Sequence, residues 1–514
     1  MQGFFLMYAD RRGPCNGRNL SAPRGLISVA DYEWPSDLLS KKMIHTYKNN
    51  GYNIVMDTES GSIHVVDDIV YDMISALDVY ARSAPIRTVD EDDIKAAPYE
   101  EVRDCLAGAL SSYDEDDIKE AYEEVAYLIE EECLFTDDLY EEYISDFSKR
   151  ETVLKALCLH IAHDCNLSCR YCFAGEGEYH GARQLMSFEV GRKALDLLVR
   201  SSKGRRNLEV DFFGGEPLMN FEVVKQLVEY GRKLEKEFDK KFRFTLTTNG
   251  MLLDDDILAF ANKEMGNLVL SIDGRKEIHD KMRPRRGGQG SYDEIVPKFQ
   301  KAAKSRNETN YYVRGTYTHN NLDFAEDVKH LADLGFTQIS VEPVVAPSDK
   351  DYAIKPEDVP ALLEQYDILA KYILERRKNG KGINFFHFMI DLSGGPCVAK
   401  RLKGCGSGTE YLAVAPNGDL YPCHQFVGMN DFLMGNVDTG VTNTALSNKF
   451  KLCNVYSKEE CRSCFAKFYC SGGCAANAYN FTGDINGVYD IGCALQRKRV
   501  ECAIMLKAAD EGSY

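Results

Sequence analysis

The sequence lacks any apolar run approaching the roughly 18 residues that a membrane-spanning helix requires, so no membrane association is expected. It also lacks an excess of positive charge: 62 Lys and Arg stand against 80 Asp and Glu, for a formal charge of −18. A surface of that sign repels phosphate backbones and argues against nucleic acid as a partner. A secretory signal is missing too, since residues 1–42 hold Arg11, Arg12 and Pro14 but no long apolar core. Seventeen cysteines in a chain without such a signal predict metal binding in a reducing cytoplasm rather than a disulfide scaffold.

What is present describes an ordinary soluble globular protein, 44% hydrophobic and 28% charged. Its 514 residues give room for about two to four domains. The densest chemistry is Cys165-Asn-Leu-Ser-Cys169-Arg-Tyr171-Cys172, directly after the apolar run Ala156–Ile161. Three thiolates in one short loop can each bind one corner of an iron–sulfur cube, and a cube with three protein ligands keeps one iron open. A zinc knuckle needs a fourth ligand at tetrahedral geometry. His163 is too near Cys165 in sequence to supply it.

This loop resembles the signature of the radical S-adenosylmethionine (SAM) enzymes, with Tyr171 as the aromatic before the third cysteine. The resemblance implies that SAM chelates the open iron and is cleaved to a 5′-deoxyadenosyl radical, the protein supplying orientation and exclusion. Oxygen-sensitive clusters of this kind predict an anaerobic host.

Residues 1–42 read as an N-terminal extension, disordered or due to start-site choice, with a fresh beginning at Met43. Tyr52–Val66 alternates apolar and polar residues about a Ser60-Gly61-Ser62 turn, which predicts a β-hairpin. Helices are expected over Asp67–Ala76, Tyr99–Leu110 and Asp116–Glu131. A hairpin with three short helices has the size of a winged-helix domain, here residues 43–140. Peptide-modifying radical SAM enzymes carry a similar module for a precursor's leader peptide. That resemblance implies capture by strand addition at an exposed hairpin edge; a plain solubilising cap is the alternative, because runs such as Asp90–Asp93 are ordinary solvated faces.

From 150 to 350 the pattern alternates. Ala156–Ile161, Leu208–Phe213, Phe242–Thr247, Leu268–Ile272, Tyr311–Tyr317 and Gln338–Glu342 read as strands. Glu189–Ser201, Phe221–Glu237, Asp254–Lys263, Tyr292–Ser305 and Asp323–Leu334 read as amphipathic helices between them. Six β-α repeats predict a parallel sheet closed only partly into a barrel, with ligand sites at the C-terminal strand ends. At those ends stand Gly214-Gly215-Glu216-Pro217, Thr247-Thr248-Asn249-Gly250, Ser271-Ile272-Asp273-Gly274 and, further on, Arg283 and Arg314. The first looks like the family's GGEP segment, which binds the amino group of SAM. By resemblance Tyr171, Gly214, Gly215, Glu216, Asn249, Ser271, Arg283 and Arg314 belong to the SAM site, the two arginines beside its carboxylate. Gly287-Gly288-Gln289-Gly290 follows no strand and carries no weight as a phosphate loop.

Residues 351–390 are expected to connect through a helix over 356–378. Nine cysteines then fall between Cys397 and Cys493. Cys405, Gly418-x4-Cys423, Cys461-x2-Cys464-x5-Cys470-x3-Cys474 and Cys493 resemble the SPASM extension, here residues 391–514, which holds two further [4Fe–4S] clusters. The resemblance implies Cys405, Cys423 and Cys474 for the first auxiliary cluster, and Cys461, Cys464, Cys470 and Cys493 for the second. The fourth ligand of the first is either Cys397 or a vacancy for a substrate thiolate. Cys453 stands outside the pattern as a buried or free thiol. His424 occupies the place of the aspartate base of sulfatase-maturating relatives; it can accept a proton, but loss of the carboxylate weakens the case for formylglycine formation.

The fold class expected is therefore α/β: a partial (β/α)6 radical SAM barrel with an N-terminal winged-helix-like domain and a C-terminal Cys-rich SPASM domain. Three [4Fe–4S] clusters and SAM are the expected cofactors. The chain resembles the maturases that form sulfur-to-α-carbon thioether crosslinks in six-cysteine "SCIFF" precursor peptides, on the segments Tyr52–Asp72, Gly404–Tyr411 and Asp419–Phe426. The implied partners are a Cys-rich precursor peptide bound through its leader, and a reductase, flavodoxin or ferredoxin as electron donor. Formylglycine formation, a structural zinc protein with a peptide-binding module and a pure electron carrier are the alternatives.

Overall fold

The computed structural model describes residues 5–7, 43–83, 106–141, 144, 149, 151–179, 181–390, 392 and 398–511. At the front, β1 (Phe5–Met7), β2 (Ile44–Asn49), β3 (Tyr52–Asp57) and β4 (Ile63–Val66) form an antiparallel sheet in the order β1-β4-β3-β2. The Asp57 carboxylate accepts the Ser60 N–H at 2.8 Å and so shapes the β3–β4 turn. The side chains of this sheet go to two cores. Ile54, Met56 and Ile63 join the core of the main body. Val55 and Val66 pack with Ile74, Tyr122 and Val125 from the helices Asp68–Ser83 and Glu115–Glu130. Both faces are thus buried, which is why β3 reads as an apolar run through Ile54–Met56 rather than as a clean alternation.

The sequence predicts an exposed hairpin edge, and the structure corrects this. β2 covers β3, while β1 covers β4 with Phe5 opposite Val65, Leu6 opposite His64 and Met7 opposite Ile63. A bare strand edge offers unpaired N–H and C=O groups to any available strand; here the chain's own residues 5–7 take that place. They also depart from the disordered extension expected of 1–42. The rest of that extension, and most of the helix expected over Tyr99–Leu110, lie outside the described residues.

The main body is a parallel sheet of β5 (Ala156–His163), β7 (Asn207–Gly214), β8 (Lys241–Thr248), β9 (Met265–Ser271), β10 (Tyr311–Tyr317), β11 (Gln338–Pro343) and the short β12 (Asn384–Phe385), in that spatial order. β6 (Gln184–Leu185) pairs antiparallel to the end of β5. Crossover helices such as Phe188–Ser201, capped by the Ser187 hydroxyl on the Val190 N–H, cover the outside. β5 is buried at every position, as befits a central strand with neighbours on both faces.

The sheet also runs on past the edge that the sequence predicts. β13 (Tyr411–Val414) pairs parallel to β5, Tyr411 opposite Ala156 and Val414 opposite Leu159. β14 (Asp419–Tyr421), β15 (Gly435–Asn436) and β16 (Gly440–Val441) continue it antiparallel. Barrel and cysteine-rich third therefore share one twelve-stranded sheet.

The C-terminal helix Asp490–Glu511 lies between the front sheet and the helix Val359–Lys378. Tyr47 donates to the Glu501 carbonyl at 3.0 Å, and Asn49 to the Asp367 carboxylate at 2.7 Å. Lys467, only 2% exposed, binds Glu59 at 2.8 Å and Asp138 at 3.0 Å, joining the front unit to the cysteine-rich third.

Candidate active site

A cavity of about 670 Å³ opens at the C-terminal ends of β5 and β7 to β11. This is where parallel α/β sheets place ligands. Cys165, Cys169 and Cys172 line one part of its wall, and Cys470, Cys474 and Cys493 another.

The cysteine loop is set by the end of β7. Gly215 N donates to the Ala162 carbonyl at 2.7 Å, and Glu216 N to the Asp164 carbonyl at 2.8 Å. A Cβ on Gly214 would stand 2.4 Å from the Ala162 oxygen, and one on Gly215 2.1 Å from the Asp164 oxygen. Only glycine permits that approach, and Gly214 also sits at φ +124°.

Glu216 lines the cavity, but its carboxylate is fully used by its surroundings. It accepts from Leu218 N at 3.0 Å, Thr248 Oγ1 at 2.8 Å and Asn249 N at 2.8 Å. Burial pushes this carboxyl up to about 7 against those bonds. Glu216 thereby fastens β7 to the end of β8 and presents Asn249, whose Nδ2 reaches Asn166 Oδ1 at 2.7 Å and Cys165 Sγ at 3.6 Å.

Burial pushes the Cys165 and Cys169 thiols up to about 12; Glu216 and Cys172 add to this at Cys165, and Cys165 and Cys172 add to it at Cys169 against the pull of Arg283. A bound cation reverses this and stabilises the thiolates. Among the described residues no three His, Cys, Asp or Glu side chains are gathered closely enough for a single ion. A cluster with a separate iron for each thiolate spreads its ligands further than zinc does, and the three thiols around this part of the cavity fit it.

Opposite the loop, Asp273 is fully buried. It accepts from the Tyr171 hydroxyl at 2.6 and 2.8 Å, Arg283 Nε at 3.0 Å and Thr316 N at 2.9 Å. The Arg283 guanidinium lies 5.4 Å from the centre of the Tyr171 ring. Burial alone would lower its pKa, but Asp273 and Tyr171 more than offset this, and the net direction is up. Arg283 therefore stays charged beside the Cys169 thiol. Ser271, at the end of β9, lines the same wall.

Arg314 also lines the cavity but is paired with Glu342 at 2.7 Å. Burial would raise the Glu342 carboxyl, yet Arg314 and His387 hold it down to about 2. Half-buried His424 faces the cavity with its ring 5.2 Å from Phe213 and 5.6 Å from Phe173. Burial lowers its pKa to about 4, which leaves the imidazole neutral and only weakly basic.

The auxiliary cysteines gather in two sets. The Cys470 thiol is pushed up to about 12, first by burial and then by Cys493, Cys461 and Cys464. Cys423 is raised by burial and then by Cys474 and Cys405. Cys397 lies outside the described residues. Cys453 donates to the Ile485 carbonyl at 3.4 Å, as befits a thiol outside the ligand pattern. No described cysteine is in a disulfide.

Sequence reasoning missed Asp273 and Glu342. Asp273 stood inside the quoted segment Ser271–Gly274, and its signal was an acidic residue at a strand end with Arg283 ten positions on. Glu342 closes a predicted strand and gave no comparable signal.

Residues 159–330 match the radical SAM superfamily, and residues 405–465 match SPASM, an iron–sulfur cluster-binding domain. An uncharacterized protein of Methanocaldococcus jannaschii, MJ0907, is 28% identical over 61% of this chain and 96% of its own length. The cysteine-type anaerobic sulfatase-maturating enzyme of Clostridium perfringens strain 13 is 25% identical over 60% of this chain and 85% of its own. Among solved structures, native anSMEcpe with bound AdoMet and Cp18Cys peptide shares the fold at TM-score 0.57 and 22% identity, over 70% of this chain and 99% of that one. Among the described residues no helix is long and apolar enough to cross a membrane. The chain carries a radical SAM domain followed by a SPASM domain, which together imply SAM and [4Fe–4S] clusters, and its relatives include maturases of that type.

Proposed function

We propose that this chain installs thioether crosslinks in a Cys-rich, ribosomally made precursor peptide of the SCIFF type, joining a cysteine sulfur to the α-carbon of an acceptor residue. The observation that carries this reading is one cavity lined by both Cys165, Cys169 and Cys172 and the auxiliary cysteines Cys470, Cys474 and Cys493. Per crosslink the acceptor carbon loses a hydrogen atom, the cysteine thiol loses a proton, one C–S bond forms and one electron is left over. The clusters and SAM supply, when bound, the 5′-deoxyadenosyl radical that takes the hydrogen and the redox sites that take the electron; a flavodoxin, ferredoxin or reductase is the external donor.

The chain's own residues do the rest. Cys165, Cys169 and Cys172 hold the SAM cluster; Cys405, Cys423 and Cys474, with Cys397 or a vacancy, hold the first auxiliary cluster; Cys461, Cys464, Cys470 and Cys493 hold the second. Gly214, Gly215, Asn249 and Ser271 shape the SAM wall, and Arg283, fixed by Asp273, faces the SAM carboxylate. His424, next to Cys423 and facing the cavity, is the imidazole placed to take the thiol proton, a role that its burial opposes. The unit at 43–140 takes the leader. Because β1 covers β4 and β2 covers β3, a leader strand adds at the outer edge of β2 or of β1, or displaces residues 5–7.

Formylglycine formation is the second reading, favoured by the likeness to sulfatase-maturating enzymes. Anaerobic reaction of the reconstituted chain with a Cys-rich peptide encoded nearby, followed by tandem mass spectrometry, separates the two. Loss of two hydrogens with two residues joined supports crosslinking, and an aldehyde in place of a thiol supports the second reading. Continued 5′-deoxyadenosine formation in Cys165→Ala, Cys169→Ala or Cys172→Ala would overturn both.

A further inference from the structure

We infer that Arg499 is the docking point for a carboxylate of the peptide substrate, within the cavity that the cysteine loop also lines. The inference rests on the peptide reading above and names one feature of the peptide.

Arg499 projects from the C-terminal helix and is only 9% exposed, yet it lines the cavity. Its polar partners are neutral. Nε donates to the Tyr366 hydroxyl at 2.7 Å, Nη1 reaches Gln496 Oε1 at 3.5 Å, and Nη2 has no partner. The guanidinium lies 5.4 Å from the centre of the Tyr366 ring. Among the described residues no carboxylate forms an ion pair with it.

The carboxylate whose field reaches Arg499 is Glu342, and that one is already bonded to Arg314 at 2.7 Å, with His387 at 3.9 Å. Glu342 thus faces two guanidiniums, and among the described residues no carboxylate is bonded to Arg499. Buried charges are stable when paired, and the Nη1–Nη2 side of a guanidinium matches a carboxylate in shape and sign. A second carboxylate arriving through the cavity would replace the long Gln496 contact on Nη1 and reach the shielded, unpartnered Nη2.

The SAM carboxylate is assigned to the open iron beside Cys165, Cys169 and Cys172 and to Arg283, whereas Arg499 sits among Tyr366, Tyr317 and Glu342. SAM affinity in the variants below tells the two carboxylates apart. The peptide's carboxylate is an Asp or Glu side chain or the chain terminus.

The test uses the full, cluster-loaded chain and the Cys-rich peptide encoded nearby. Peptide affinity is measured by fluorescence anisotropy, with each Asp and Glu changed singly to Asn or Gln and, separately, with the C-terminus amidated. One of these changes should weaken binding by about tenfold, the loss of a charge-assisted pair, and its identity tells side chain from terminus. Arg499→Gln should cause the same loss with the unaltered peptide and add nothing to it with the altered one. Arg499→Lys, which keeps charge without the fork, should fall between. SAM affinity should stay within twofold.

Peptide binding that is indifferent to every carboxylate would overturn the assignment without any protein variant. So would an Arg499→Gln protein that loses SAM rather than peptide. If binding depends on a carboxylate but no crosslink forms, the crosslinking reading falls and the docking assignment stands. If crosslinks form with no such dependence, the assignment falls alone. A peptide that fails to bind the wild-type chain overturns both.

Discussion

Lys467→Met is the most revealing single change. Lys467 Nζ is the cation between Glu59, 4% exposed, and Asp138, 22% exposed. Removing it takes away the cation that the two carboxylates share in a largely desolvated seam. Breaking a buried pair from one side costs roughly 3–5 kcal/mol, which is two to four orders of magnitude in the docking equilibrium. Against a typical total stability of about 5–15 kcal/mol that is a large share. Hydrogen exchange of the amides in Ile44–Val66, with limited proteolysis alongside, reports whether the front unit has come loose. Adding Glu59→Gln and Asp138→Asn to Lys467→Met should restore most of the protection, because the uncompensated charges are then gone. Burial raises the Asp138 carboxyl, but Tyr456 and Lys467 more than offset this and hold it below its usual range. Its contribution is therefore present above the unfolded carboxyl pKa of about 4 and is lost as pH falls through the lower folded value. Wild-type protection should drop in that acid window, and less so in the triple variant. Unchanged exchange and melting in Lys467→Met at neutral pH would refute the reasoning.

Three further outcomes follow from the site. Asp273→Asn loosens Tyr171 and Arg283 together and should weaken SAM binding by about tenfold or more, measured by equilibrium dialysis of the cluster-loaded chain. Gly215→Ala puts a methyl group where the Asp164 carbonyl already is, so iron at the loop cluster should fall even though the mutated residue binds no metal. Cys470→Ala should remove about four irons per chain while leaving SAM binding intact, and product formation should be lost.

Much of the barrel was legible because its periodicity is local. Tyr311–Tyr317 and Tyr292–Ser305 have the bounds that alternation and helical spacing predict. The cysteine loop was legible for the same reason, its three ligands lying within eight residues. Relations between distant segments were not legible. Nothing in Phe5–Met7 or Ile63–Val66 announces that the two pair, since edge pairing depends on which strand arrives rather than on pattern. Arg499 sits in the run Arg497-Lys498-Arg499 and reads as a solvated face; only the packing of the helix against Tyr366 turns it inward. Glu216 is a related case: its carboxylate ties β7 to the end of β8, a bond between strands that no local pattern announces.

The pairing of β13 with β5 carries a mechanical consequence. β5 leads directly into the Cys165 loop, and β13, followed by β14, leads to Cys423. The spacing of these two cysteine segments is thus gauged by adjacent rungs of one backbone ladder, so a change in length between the two strands in sequence would leave it where it was.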